Sequence, residues 1–303
     1  MSTEIKEWFG YKVADHSPSA QDAAHENRCP FLGVECTKKL RDDLITGVCT
    51  LKQSTKDPVI CCPNRLYGDS WRALKDVAAI AFGGGYALVP GGQANLESEI
   101  REEPVIGVFG KWWDHELRLP QRGGAGSYFV DYVLALVCDT QLVEFVAVEV
   151  QSIDTTGNYR PGVAALMNEN RAVVGNKSAF NWENVNKRIL PQIIYKGHVL
   201  QMEDKCKKGL FFITPTAVYD KIMRRLGSSG PGLNKYPLSS GAITFLSYDP
   251  DWDKAVDGEP VPLRQTNLLT TNLNQVALAF SSPTDLPPAN SYQTSIEKAL
   301  GRP

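Results

Sequence analysis

Four side chains in the middle of the chain have types and spacing suited to work on a phosphate: Glu116, Asp131, Glu149 and Gln151. The last two lie in EFVAVEVQSID, residues 144–154, a run that is otherwise mostly apolar and β-branched. Side chains alternate between the faces of a strand, so Phe145, Ala147, Glu149 and Gln151 share one face and Val146, Val148 and Val150 the other. One face reads as core; the other turns polar toward its C-terminal end. The preceding strand candidate, SYFVDYVLALV at 127–137, carries Asp131. If the two strands form a hairpin closed by the three-residue loop Asp139-Thr140-Gln141, Asp131 lies directly opposite Glu149. Two carboxylates held together in this way repel unless a cation or a proton joins them. Mg²⁺ suits that position, because one or two carboxylates, waters and phosphate oxygens are its usual ligands. The chemistry implied is phosphodiester hydrolysis by metal-activated water. Glu116, in WWDHELRLP, is a candidate third carboxylate that completes the ion's surroundings or binds a second ion. The plainer reading is that these acids face solvent or are satisfied by nearby Lys and Arg.

A second group of residues with metal chemistry lies further toward the N-terminus. Of seven cysteines, five fall between residues 29 and 62, and Cys29, Cys36, Cys49 and Cys62 are spaced C-x6-C-x12-C-x12-C with Cys61 beside the last. Four thiolates make a closed tetrahedral site of the kind that zinc or iron occupies in structural roles. The pattern lacks a paired C-x2-C, and the alternative is that some of these are small buried hydrophobes, the role expected of Cys138 and Cys206.

Elements that position these groups are legible around them. DSWRALKDVAAIAF, from Asp69, has helical spacing with Asp69 or Ser70 as N-cap, and it ends at Gly83-Gly84-Gly85. Pro161 marks the first turn of a helix after TTGNY; Pro191 kinks a second over NWENVNKRILPQIIYKGHVLQ. GLFFITP and AITFLSYDP read as strands separated by the helix TAVYDKIMRRLG, and SYQTSIEKALG reads as a C-terminal helix. Residues 29–68 read as loops around cysteines. This order implies an α/β or α+β body with a central sheet.

At 303 residues with a net charge of -2, the chain is long enough for a catalytic body with an appended lobe, and any nucleic-acid site must be a local concentration of Lys and Arg. No run approaches the length of a membrane span, and the acidic N-terminus is unlike a secretory signal, so a cytosolic protein with reduced thiols is expected.

Asp131 followed by Glu149-x-Gln151 has the form of the PD-(D/E)xK nuclease motif with Gln in the lysine position. Together with EVQSIDTTGNYR, VDYVLALV, the Glu116 to Asp131 spacing and the segment CPF…GVC…CPNR, it resembles the NotI-type Type II restriction endonucleases over roughly residues 29–200. The resemblance implies a PD-(D/E)xK core, α/β with a central mixed sheet flanked by helices (69–303), plus an N-terminal cysteine-rich lobe (1–68). It further implies Mg²⁺ held by Glu116, Asp131 and Glu149, Gln151 standing where lysine is usual, and structural iron or zinc on Cys29, Cys36, Cys49 and Cys62. The implied partner is double-stranded DNA, cut at a GC-rich palindrome by a homodimer in a prokaryotic cytoplasm, with a cognate DNA methyltransferase in the same host. A neutral amide hydrogen-bonds but carries no charge, so Gln151 also leaves open a DNA-binding protein that has lost catalysis. A repair or RNA nuclease is a third reading.

Asn158, Tyr159 and Arg160 directly follow the active-site strand and are the first candidates for DNA contact. The basic runs KRILPQIIYKGH, KCKKG and Arg224-Arg225 also fit phosphate contacts, although such runs are more often solvated faces. Trp112-Trp113 either stacks on a base or belongs to the core.

Overall fold

The structure, a computed structural model, describes residues 2–40, 42–53, 56–120, 127–168, 172–227, 232–282 and 287–301. The chain opens with strands β1 (Thr3–Trp8) and β2 (Tyr11–Lys12), then helix α1 (Pro18–His25), whose first turn is capped by the Ser17 hydroxyl accepting from Ala20 N–H. Strands β3 (Val48–Gln53) and β4 (Val59–Ile60) complete a four-stranded sheet in the order β2-β1-β3-β4. Two strands therefore occupy a segment that reads as loop: every residue of Val48–Leu51 is buried, which erases the alternation that identifies a strand from sequence.

Next come α2 (Gly68–Phe82), β5 (Ala87–Pro90), α3 (Ala94–Arg101), β6 (Val105–Gly110), β7 (Arg118–Pro120), β8 (Ser127–Phe129), β9 (Tyr132–Cys138) and β10 (Gln141–Val150). They are followed by β11 (Thr155–Asn158), α4 (Arg160–Met167), β12 (Lys177–Phe180), α5 (Leu190–Leu200), β13 (Leu210–Pro215), α6 (Thr216–Gly227), β14 (Ala242–Pro250), β15 (Leu263–Asn272), α7 (Leu273–Ser281) and α8 (Ser291–Ala299). The central sheet has seven strands in the order β15-β14-β13-β10-β9-β6-β5. It is mixed: β10, β13 and β14 run parallel, as do β5 and β6, while β9 and β15 pair antiparallel with their neighbours.

Helices cover both faces. Val146, Val148 and Val150 of β10 pack with Leu74, Val77 and Ala78 of α2, whereas Ala147 lies in the opposite core with Val163 of α4, Ile193 of α5 and Val218 of α6. The alternation expected for β10 is therefore realised, with apolar packing on both sides.

The hairpin closes differently from expectation. Its turn is the two residues Asp139-Thr140, with φ of 48° and 61°, the left-handed pair that a type I′ turn needs. A bulge between Leu142 and Glu144 then shifts the register by one, so that Val148 faces Tyr132. A tighter turn plus a bulge thus reaches the pairing expected of a longer loop. At α2, Asp69, Ser70 and Trp71 all have positive φ, and the Asp69 carboxylate accepts from Leu263 N–H instead of capping the helix. Pro191 lies in the first turn of α5, directly after a π-helical turn, Val185–Ile189, rather than inside one continuous α-helix.

The N-terminal sheet is tied to the C-terminal strands by a fully buried ion pair. Arg65 Nε donates to Glu7 Oε1, Thr50 Oγ1 donates to Glu7 Oε2 at 2.5 Å, and Arg65 Nη2 donates to Val261 O at 2.5 Å, with the Phe31 ring 4.8 Å from the guanidinium. Removing one partner strands the other charge without water. Glu7→Gln should therefore cost about 3–5 kcal/mol in chemical denaturation, and the double variant Glu7→Leu/Arg65→Met should cost less than the two single changes combined.

Candidate functional site

Asp131 precedes β9 directly and Glu149 is the penultimate residue of β10, so the bulge-corrected register carries both to the same end of the hairpin. The link is reciprocal: Val150 N–H donates to Asp131 Oδ2 at 2.8 Å, and the Asp131 backbone N–H supports the Glu149 carboxylate. Burial raises the Asp131 carboxyl above the usual range, against the pull of the Val150 N–H and of Lys196. Burial and the neighbouring Asp131 charge push Glu149 up to about 7. The opposing charge comes from α5, where Lys196 Nζ lies 2.5 Å from Glu149 Oε1 with only 12% and 14% of the two side chains exposed.

Gly110, the last residue of β6, makes this packing possible. Its φ is 146°, and a Cβ there would lie 2.3 Å from Asp131 O and 2.4 Å from the Tyr132 ring. Only glycine lets β6 run this close to the carboxylate's backbone.

Glu116 lies on the exposed loop after β6, where its field raises Asp131. Gln151 continues β10: its backbone N–H donates to Ile213 O, its carbonyl accepts from Thr214 Oγ1 at 2.8 Å, and its amide donates to Ser152 O at 2.9 Å. Among the described residues no three His, Cys, Asp or Glu side chains converge to hold an ion. Two adjoining buried carboxylates are nonetheless the donor set that Mg²⁺ takes, the remaining positions going to water and phosphate. Asp131 and Glu149 fit that ion; Glu116 is near but not drawn in.

Cys29, Cys36, Cys49 and Cys62 are all buried, and burial raises Cys49, with the Glu7 charge and the fields of Cys62, Cys36 and Cys29 adding to it. They are near neighbours rather than a closed ligand shell. Cys61 points elsewhere, its Sγ lying 3.5 Å from Cys49 O and 3.9 Å from Val48 O. Cys206 is buried as expected, but Cys138 is not, lying at the hairpin turn with its Sγ 3.6 Å from Asp139 Oδ2.

Asn158 and Arg160 line a polar cleft of about 870 Å³ with Lys39, Asp42, Asn184 and Arg188. Arg160 is ion-paired to Asp42 across this cleft, and Asn158 Oδ1 accepts from Arg160 N–H at 2.8 Å. Tyr159 also lines the cleft, while most of its side chain is buried in the core beneath. Asn184 and Arg188 also border the small cavity beside Gln151, which joins the cleft to the end of β10. Trp113 packs against Trp71 in the core, while Trp112 is partly exposed under Lys111.

Lys196, one charge among several in KRILPQIIYKGH, is brought to the site by the fold, as the partner of Glu149. A signal was present: buried Ile193 is three residues before it and buried Leu200 four after, so it occupies the apolar face of α5.

The structure is thus a mixed sheet flanked by helices, with two carboxylates brought together at the end of one hairpin. The family model described as Restriction endonuclease NotI matches residues 7–211, about two thirds of the chain, including every cysteine of the lobe, both carboxylates and Lys196. The chain belongs to the NotI restriction endonuclease family. No curated protein matches it. Among the described residues no helix is long and apolar enough to cross a membrane.

Gly110→Ala should displace Asp131, lowering stability by about 1–3 kcal/mol and cleavage rate by more than ten-fold, whereas Gly84→Ala, with open space at its Cβ, should leave both unchanged. Melting temperature and initial cleavage rate on one preparation check both.

Proposed function

We propose that this chain is a Type II restriction endonuclease that hydrolyses phosphodiester bonds in double-stranded DNA with Mg²⁺, at a GC-rich palindrome and as a homodimer. The observation that supports this reading is the enforced adjacency of Asp131 and Glu149 at the sheet end, in a chain of the NotI family. When bound there, Mg²⁺ supplies activated water and charge stabilisation at the phosphate. Asp131, held by Val150 N–H, and Glu149 present their carboxylates to that ion. Glu116 on its loop adds negative charge at the rim, and Gln151 continues the floor of the site toward the cleft. Asn158 and Arg160 take DNA phosphates along the cleft, which requires Arg160 to exchange Asp42 for the backbone. A two-fold dimer matches the symmetry of a palindrome, and a methyltransferase of the same specificity protects the host genome. Residues 1–68 form a lobe that positions the DNA-facing side of the endonuclease body, 69–303, with iron or zinc drawing Cys29, Cys36, Cys49 and Cys62 into a closed site. The Gln151 amide, turned to Ser152 O, favours a second reading in which the scaffold binds DNA without cutting it.

With phage DNA and Mg²⁺, the wild-type protein should yield discrete bands. Asp131→Ala and Glu149→Ala should cut at under about a hundredth of that rate while still shifting DNA in Ca²⁺. Full nicking by either purified variant sinks the assignment; wild-type binding without cutting selects the second reading. Elemental analysis should find one equivalent of iron or zinc per chain, and less than about half an equivalent would remove the metal from the lobe.

A further inference from the structure

We propose that Lys196 is the resident cation of the catalytic site, a positioning residue that supplies from helix α5 the positive charge which Gln151 on β10 lacks. The inference rests on the carboxylate site proposed above, and it assigns to a helix a role that a strand residue would otherwise fill. Three observations carry it. Lys196 Nζ lies 2.5 Å from Glu149 Oε1, and both side chains are nearly enclosed. Its field also reaches Asp131, so one ammonium serves both carboxylates. Finally, α5 is seated tightly where the lysine sits: a Cβ on the adjacent Gly197 would be 2.9 Å from Leu273 Cδ1 of α7, so the helix rests close on its neighbour and Nζ has a fixed origin.

Stability does not explain this lysine. An enclosed ion pair is often no better than apolar side chains of the same volume, and Lys196 lies on a helix face whose other members are Ile193 and Leu200. A methionine there would pack, but it would leave two adjoining buried carboxylates with no counter-charge except an external ion. The Gln151 amide nitrogen is committed to Ser152 O, so it does not meet that need.

In the hydrolysis, the oxygen of water bonds to phosphorus, the bond from phosphorus to the leaving ester oxygen breaks, the attacking water loses a proton to solvent and the leaving oxygen gains one. Lys196 takes no part in these bond changes. It fixes the Glu149 carboxylate beside the attacking water and offsets the negative charge that grows on the phosphoryl group. With two carboxylates and one ammonium, the site keeps a net negative charge and still attracts a divalent cation.

The test uses the full-length protein, with cleavage of phage DNA at saturating Mg²⁺ and calorimetric titration with Ca²⁺ in the absence of DNA. Lys196→Met should cut about a hundred-fold more slowly yet bind Ca²⁺ about ten-fold more tightly, with no fall in melting temperature. Lys196→Arg should keep cleavage within ten-fold of wild type, and Gln151→Lys in the Lys196→Met background should recover at least ten-fold of the lost rate. Lys196→Gln provides the same comparison if the methionine variant does not fold. Cleavage by Lys196→Met at the wild-type rate, with tighter Ca²⁺ binding, would make the lysine a stand-in for the ion and overturn the proposal. Loss of rate, Ca²⁺ affinity and melting temperature together would make it structural and also overturn it. If the wild-type protein itself does not cut, the nuclease reading fails and takes this one with it; if only the variants behave otherwise, the nuclease reading stands.

Discussion

The antiparallel register of β9 and β10 places two carboxylates side by side, and the rest of the site is a response to that constraint. Carboxylates brought together and taken out of water repel, and that cost is drawn from the modest margin that holds a domain folded. Such a repulsion persists only where it is offset. Val150 N–H on Asp131, Asp131 N–H on Glu149 and the Lys196 ammonium are the offsets present, and hydrogen bonds to charged groups contribute about 1.5–3 kcal/mol each. They bring the pair within reach of neutrality without abolishing its negative charge. The same residues that make the sheet end tolerable thereby leave its two carboxylates only partly compensated.

How the register is reached shows what a sequence discloses about such a site. The pairing of Asp131 with Glu149 was legible because hydrophobic alternation in 144–151 leaves little freedom: a slip of one residue would put Val146 and Val148 on the wrong face. The means were not legible. A two-residue left-handed turn at Asp139-Thr140 and a bulge before Glu144 give the same outcome as a three-residue loop, and neither Asp-Thr nor Val143 advertises positive φ or a bulge. Strands with both faces covered, such as β3 and β6, were missed for the opposite reason, since they show no alternation at all. The helix carrying Lys196 was seen, but its face was not: a lysine in a basic run reads as solvated until Ile193 and Leu200 are noticed on either side of it.

The cysteine-bearing N-terminal segment packs into the rest of the chain. Cys29, Cys36 and Cys61 share one buried cluster with Ile153, Tyr159 and Val163, which follow β10, and Arg65, three residues after Cys62, reaches Val261, two residues before β15. Tyr159 acquires its place in this arrangement. Its ring is the packing between lobe and body, while Asn158 and Arg160 on either side of it face the cleft. The adjacent cysteines divide in the same manner: consecutive residues entering a turn point apart, so Cys61 turns back to the β3 backbone and Cys62 is left to the thiol group. A disturbance at the thiols would therefore be felt at the cleft through Tyr159.

Placing the counter-charge on α5 rather than on β10 has a mechanical consequence. A lysine two residues after Glu149 would move with the strand and keep a constant relation to the carboxylate, whereas Lys196 meets Glu149 only while α5 is docked on the sheet. That docking depends on Gly197 against Leu273 of α7, and α7 directly follows β15 at the far edge of the sheet, beyond residue 211 where the family match ends. The charge balance of the centre is thus coupled to packing among α5, α7 and the edge strand, elements that carry none of the chemistry. The charge beside Glu149 is thus delivered by the tertiary fold, through α5, and not by the strand that carries Gln151.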